Sequence, residues 1–292
     1  MRPFLIRCAH ALLCAALLLP AFLHAEPVVL YEKRSAYSNI IVSEEAGIRT
    51  LRFERGGARQ TVAKPDDPTF LALPYARVGL LGVALVPEPK RVLVVGLGGG
   101  TLPRFLHRYF PDAVIDAVDI DPEVVHVARE FFGFRDSKTL RAHVGDGRRF
   151  IEETREPYDV IFLDAFGARN VPTHLTTREF LQAVRKALKP EGVVVGNVWS
   201  GEFNPLYGAM VRTYYDVFDV VRVVPVHGAG NRMVLALPRT GSLATDQLSR
   251  LGSALSMRKG FSFDLASWAA DELPQEQNEI RAARVLRDPP PQ

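Results

Sequence analysis

The sequence predicts an α/β fold: a mostly parallel sheet, covered by helices on both faces and closed by an antiparallel hairpin. Three observations carry this reading. Short β-branched runs alternate with helix-length segments from Arg91 to Gly196, the signature of βαβ units. A glycine-rich turn, Gly96 to Gly100, follows the first of those runs. Near the end, Val220–Val226 and Arg232–Pro238 flank His227-Gly228-Ala229-Gly230-Asn231 as hairpin strands flank a turn.

Residues 1–25 stand apart. Arg2 and Arg7 lead into an apolar stretch from Ala9 to Phe22, and Ala25–Glu26 offers a small-residue boundary. That layout is expected of a secretory signal peptide, and with it of a periplasmic or secreted protein. The stretch is shorter than the roughly 20 residues of a membrane span. An uncleaved membrane anchor is the alternative. Both cysteines, Cys8 and Cys14, lie here, so cleavage would leave no thiolate, disulfide or cysteine metal ligand.

Residues 26–68 are expected to form a small antiparallel β unit. Ile40–Val42 and Thr50–Phe53 read as strands around Glu45-Ala46-Gly47, and Lys64-Pro65-Asp66-Asp67-Pro68 breaks the pattern. The core domain is assigned to 69–260. Leu71 to Leu85 is apolar enough for a buried helix, with Pro74 near its start. Strands follow at Arg91–Val95, Val114–Val118, Leu140–Val144, Val160–Leu163 and Val193–Gly196. Between them, helices are expected at Leu102–Phe110, Glu123–Phe132 and Thr177–Leu188, the second with Asp121 as N-cap and Pro122 as its first residue. A further helix is placed at Leu243–Leu255. Residues 261–292 form a C-terminal extension whose tip, Asp288 to Gln292, is expected to be frayed and disordered.

Composition excludes some functions. Among 292 residues, 36 are Lys or Arg and 33 Asp or Glu, a net charge of +3, with no long run of like charge. A nucleic-acid partner is therefore not expected. His107, His143, His174 and His227 have no metal-ligand spacing, so no metal is assigned. His126 and Arg129 read as the solvated face of a helix.

The chemistry-bearing residues sit at successive strand ends. Gly96, Gly98 and Gly100 form a turn that lets a ligand approach backbone closely and aims a helix N-terminus at it. Asp119, next to Ile120, ends the second strand, where a carboxylate can accept hydrogen bonds from both ribose hydroxyls. Asp146 and Gly147 follow the third strand, suited to the amino group and ring of adenine. Asp164 ends an otherwise apolar strand, at the edge where open α/β sheets bind ligands. A dinucleotide enzyme would need a second mononucleotide half. This chain closes instead with a hairpin.

With Val92–Leu102, Asp119-Ile120-Asp121, Gly145-Asp146-Gly147, Asp164 and Glu179-Phe180, the sequence resembles the spermidine/spermine synthase family of polyamine aminopropyltransferases from Tyr37 to Leu237. The resemblance implies a Rossmann-like class I methyltransferase core, with a seven-stranded sheet behind a small N-terminal β unit. It also implies decarboxylated S-adenosylmethionine as cofactor, an amine as second substrate, and methylthioadenosine as one product. Asp119 would hold ribose, Asp146 adenine, and Asp164 would accept the proton. Tyr75 and Gln60 would contact substrate.

The departures lie on the amine side. Gly99 stands where the family has an aspartate, Gly167 where it has a second carboxylate after Asp164, Arg77 where it has a glutamate, and Ser38 where it has a glutamine. A carboxylate about 4 Å from an ammonium contributes up to about 4 kcal/mol at an effective dielectric of 20. Losing half of that costs more than tenfold in affinity. Weak putrescine binding and an atypical acceptor site are therefore expected. An aspartate of ordinary pKa near 4 would act largely through position and field. The segment Phe166 to Pro172 is expected to be a lid over the acceptor site.

Two alternatives stay open. One is a methyltransferase using S-adenosylmethionine itself, whose carboxylate could occupy the space vacated at Gly99. The other is a non-catalytic nucleoside- or polyamine-binding envelope protein. An exported enzyme would also lack a ready supply of a sulfonium made in the cytosol. A homodimer is left open, and membrane association is expected only if the leader is uncleaved.

Overall fold

A computed structural model describes residues 27–86, 88–165 and 171–290. The expected signal segment and most of the expected lid lie outside the described residues. The described residues begin with a four-stranded antiparallel sheet in the order β1 (Val28–Arg34), β2 (Asn39–Glu45), β3 (Ile48–Arg52), β4 (Arg59–Ala63). A two-residue turn joins β2 to β3. Ala46 and Gly47 both take positive φ there (50° and 76°), the backbone that matches the twist of the two strands.

The second sheet has seven strands. In chain order its elements are α1 (Pro74–Ala84), β5 (Arg91–Val95), α2 (Thr101–Tyr109), β6 (Val114–Asp119), α3 (Pro122–Phe131), β7 (Leu140–Val144), α4 (Gly147–Glu152) and β8 (Tyr158–Leu163). There follow α5 (Arg178–Lys186), β9 (Leu188–Trp199), α6 (Tyr207–Val217), β10 (Val220–Pro225), β11 (Asn231–Leu237), α7 (Thr245–Lys259) and α8 (Pro274–Ala282). The strand order is β10-β11-β9-β8-β5-β6-β7, and β11 runs antiparallel to both its neighbours. The chain winds outward from β5 in both directions. The carboxyl ends of β5 and β8 therefore form the switch point where such sheets open a crevice.

Two apolar layers enclose this sheet. One packs α1, α2, α3 and α7 through residues such as Leu80, Phe105, Val127 and Leu255. The other packs α4, α5, α6 and α8 through Ile151, Phe180, Tyr207 and Ile280. This is the α/β class read from the sequence, with the expected β unit in front. Asp121 caps α3, accepting from the Glu123 N–H at 2.9 Å, with Pro122 at the first helical position. Thr177 caps α5.

Several elements depart from expectation. The first helix begins at Pro74 rather than Leu71, because proline suits the opening turn. α7 runs on to Lys259 and ends at Gly260 in the left-handed conformation. The C-terminal extension packs on the core, and of its expected frayed tip Asp288 makes polar contacts. The Arg232 guanidinium holds Glu276 of α8 at 2.7 Å, and Leu286 is buried. Arg148 makes a bidentate pair with Asp288 (2.8 and 2.6 Å), and the Asp288 N–H donates to Glu179 at 2.8 Å.

The small sheet is fastened to the core by polar contacts. Lys33 pairs with Glu123 at 2.5 Å, and the Tyr31 hydroxyl donates to the same carboxylate. Arg104 donates to the Pro65 carbonyl at 2.6 Å and to the Phe132 carbonyl at 2.7 Å. These contacts bring β4 over the glycine turn.

Candidate active site

A cleft of about 850 Å³ opens at the carboxyl ends of β5, β6, β8 and β9, a size ordinary for a small-molecule or cofactor site. β4 and the start of α1 cover it, and the turn between β10 and β11 borders its mouth. Gly96, Gly98, Asp119, Ile120, Asp146, Gly147, Asp164, Tyr75 and Gln60 all line this one space. Gly100 does not line it; at φ 72° it forms the N-cap of α2 behind the turn.

Gly96 fixes the centre of the site. Its φ is 99°, and a Cβ there would sit 2.3 Å from the Asp164 carbonyl oxygen. Only glycine lets the turn pass this close to the end of β8. Asp119 supports the same turn. Its Oδ2 accepts from the Leu97 N–H and its Oδ1 from the Asp121 N–H, both at 3.0 Å. Burial pushes its carboxyl up, with the backbone N–H groups opposing. Asp146 caps α4 by accepting the Arg149 N–H at 2.9 Å, and its second oxygen lies 2.7 Å from His174 Nε2. Burial would raise its carboxyl, but these partners outweigh it and hold it low. His174, one of the scattered histidines, thus lies in the cleft wall. No group of three or more metal-ligating side chains gathers among the described residues.

At the other end of the cleft, Asp164 is held by amides and a phenol. Asn197 Nδ2 donates to Asp164 Oδ1 at 2.7 Å, and Asn231 Nδ2 donates to Asn197 Oδ1 at 2.9 Å. The Tyr75 phenol interacts with the same carboxyl, and that interaction favours the charged form of Asp164. Burial raises the Asp164 carboxyl to about 7, while Asn197 and Tyr75 pull the other way. The ordinary value near 4 expected from sequence is therefore corrected: desolvation tunes this aspartate to neutral pH. Asn197 and Asn231 were not signalled by the sequence. Each is an unremarkable amide on an apolar strand, and only the pairing of β9 with β11 brings them together.

Two expected consequences of the departures are also corrected. Gly99 does not face the cleft. Its N–H donates to the Thr61 hydroxyl at 2.8 Å, and a Cβ there would meet the Thr61 methyl at 2.6 Å and the Phe132 ring at 2.9 Å. No vacated space exists at Gly99 for a cofactor carboxylate. Arg77 does not enter the cleft either. Its Nε donates to the Leu71 carbonyl at 2.7 Å, and its guanidinium lies over the rings of Phe263 and Trp268 (4.7 and 5.5 Å). It therefore adds no charge to an acceptor site.

Residues matching the family description spermine/spermidine synthase domain span 77–204. A polyamine aminopropyltransferase from Vibrio vulnificus is 36% identical over 256 residues, covering 84% of this chain and 84% of the relative. Among solved structures, a probable spermidine synthase from Corynebacterium glutamicum superposes with a TM-score of 0.71 at 19% identity, over 89% of this chain and 96% of that one. Human methyltransferase-like protein 13, in complex with SAH, superposes with a TM-score of 0.59 at 33% identity, over 66% of this chain and 96% of that one.

Proposed function

Since the chain belongs to the spermidine/spermine synthase family of polyamine aminopropyltransferases, we propose that it transfers an aminopropyl group from decarboxylated S-adenosylmethionine to an amine held at an atypical acceptor site. The observation that carries this reading is the convergence of Asp119, Asp146 and Asp164 on one cleft around the glycine turn. Asp119 and Ile120 hold the ribose, and Asp146 with Gly147 holds the adenine. The sulfonium donor supplies an electrophilic carbon next to sulfur. Asp164 orients the amine and takes its proton as the new C–N bond forms and the C–S bond breaks, releasing methylthioadenosine. A carboxyl near 7 suits this role at neutral pH better than one near 4. Tyr75 and Asn197 fix its orientation, and Gln60 in the cleft wall contacts the substrate.

A second reading is methyl transfer from S-adenosylmethionine. It is favoured by the 33% identity to methyltransferase-like protein 13, whose structure holds SAH. Mass spectrometry of the products formed with each sulfonium and a mixture of amines separates the two. Methylthioadenosine with an amine heavier by one aminopropyl group supports the first reading. SAH with a methylated product supports the second. Export of the chain through residues 1–25 is part of the proposal, tested by the N-terminus of the protein recovered from a cell-envelope fraction.

A further inference from the structure

We propose that Asn231 is a positioning residue for Asp164, ordering the Asn197 amide so that its nitrogen faces the carboxylate; this rests on the transferase reading above. An ionised carboxylate accepts hydrogen bonds and has none to donate. Asn197 meets it with Nδ2, at 2.7 Å from Asp164 Oδ1. That turns Asn197 Oδ1 the other way on a buried side chain, where a donor must satisfy it. Asn231 is that donor: its Nδ2 lies 2.9 Å from Asn197 Oδ1. The two are diagonal neighbours on one face of the β9–β11 pair, since Asn231 stands opposite Trp199 and Met233 opposite Asn197. Reversing Asn197 alone would set N–H against N–H at one end and oxygen against carboxylate at the other. The two amides therefore turn only together. In the order seen, both aim their N–H groups toward Asp164 and favour its charged form. In the reverse order, Asn197 Oδ1 would accept the O–H of the neutral acid.

Few charges compete with this pair of amides. The other titratable or charged groups lining the cleft among the described residues are Tyr37 and Arg59 of the small sheet, Tyr75 of α1, Asp119, Asp121 and Asp146 at the strand ends, and His174. Of these, Tyr75 alone acts on the Asp164 carboxyl. It stays a neutral phenol, because burial, with Asp164 beside it, pushes it well above its usual range. Arg232 follows Asn231 in β11 and therefore points to the opposite face, where Glu276 of α8 holds it at 2.7 Å. The polarity of the Asn231–Asn197 chain is thus the lever left to set whether Asp164 is charged.

The test is Asn231→Asp, a nearly isosteric change that replaces the donor with an acceptor. A carboxylate there draws Asn197 Nδ2 to itself and turns Asn197 Oδ1 to Asp164. The Asp164 carboxyl should then titrate about one unit or more higher than in the wild type. Two measurements read this: the pH midpoint of kcat/KM, and the carboxyl-carbon NMR signal of Asp164 in the ligand-free protein, assigned by its loss in Asp164→Asn. Repeating the change in the Asn197→Leu background separates ordering from charge alone, and there the shift should largely disappear. A midpoint unmoved by Asn231→Asp, or a shift of equal size without Asn197, overturns the role. Where the variant does not fold, the wild-type protein decides. Its Asn231 side-chain amide signal should titrate with the Asp164 midpoint, and a signal that stays still overturns the role. A protein that forms no product from either sulfonium removes the transferase reading, while the NMR titration still tests the ordering of the amides, which separates the two failures.

Discussion

The two ends of the cleft are built by different rules. The end proposed to hold the nucleoside is made of acidic residues at the tips of neighbouring parallel strands, each tied to the backbone of the next turn or helix. Asp119 braces the glycine turn and Asp146 caps α4. Their geometry is local and survives changes elsewhere. The reacting end is assembled from distant parts of the chain: Tyr75 from α1, Asp164 after β8, Asn197 from β9 and Asn231 from β11. It holds one carboxylate among amides and rings. On the proposed reading, recognition of the nucleoside can therefore stay fixed while the second substrate changes.

The strongest way to break this comparison is Asp164→Asn. Removing the proposed proton acceptor should lower transfer by about 10²- to 10⁴-fold, while methylthioadenosine binding, measured by calorimetry, stays within threefold of wild type. A loss of both together would mean that the two ends are not separable. The converse variant, Asp119→Ala, should weaken methylthioadenosine binding by roughly tenfold to a hundredfold, the worth of hydrogen bonds to a charged group. It should also loosen the turn, since the Leu97 and Asp121 N–H groups lose their acceptor. Unchanged nucleoside affinity would remove Asp119 from the site.

The legibility of the sequence follows the same division. The glycine turn, Asp119, Asp146 and Asp164 could be read because each lies at a fixed offset from a β-branched run, and strand ends of a doubly wound sheet converge. Asp121 was legible as a cap because proline follows it. Asn197 and Asn231 were not, since nothing local marks an amide that will hydrogen-bond across an antiparallel pair. The fate of Arg77 and Gly99 was equally hidden. Their side-chain directions depend on where the C-terminal extension and β4 pack, and those contacts span well over a hundred residues for Arg77 and about forty for Gly99. α8 was hidden because its nine residues are mostly polar and its packing rests on Ile280 and the Glu276 pair.

The Asn197–Asn231 pair sharpens the comparison through pH. An Asp164 carboxyl near 7 must be ionised to take a proton, so kcat/KM should rise with pH through about 7 and then level. The positive sulfonium favours the carboxylate, so the rising limb of kcat should lie at lower pH than that of kcat/KM. Asn197 donates to the carboxylate and so lowers its pKa. Asn197→Leu should raise it, moving the limb to higher pH and lowering activity several-fold at pH 7 with recovery at higher pH. An activity loss independent of pH would reduce Asn197 to a packing role. The same burial has a stability consequence. The folded form binds the Asp164 proton more tightly than the unfolded chain does, so this group's contribution falls as pH rises from about 4 through about 7. A bound sulfonium should offset that loss, seen as a larger ligand-induced rise in Tm at pH 8 than at pH 5.

The smallest expected effect is also the most pointed, because sequence and structure disagree about it. By sequence, Arg77 occupies a family glutamate position, and Arg77→Glu should restore diamine binding. By structure, the side chain leaves α1 toward the C-terminal extension, between the Phe263 and Trp268 rings, with the Leu71 carbonyl as its acceptor. A glutamate there would lose the contact of a cation with two rings and the bond to that carbonyl, and would bring its charge no nearer to Asp164. Stability should fall by about 1 to 2 kcal/mol, read as a lower denaturation midpoint, and putrescine use should not rise by more than twofold. A large rise in putrescine use would mean that this position reaches the cleft after all, and that the acceptor end is tuned from α1 rather than from β9 and β11.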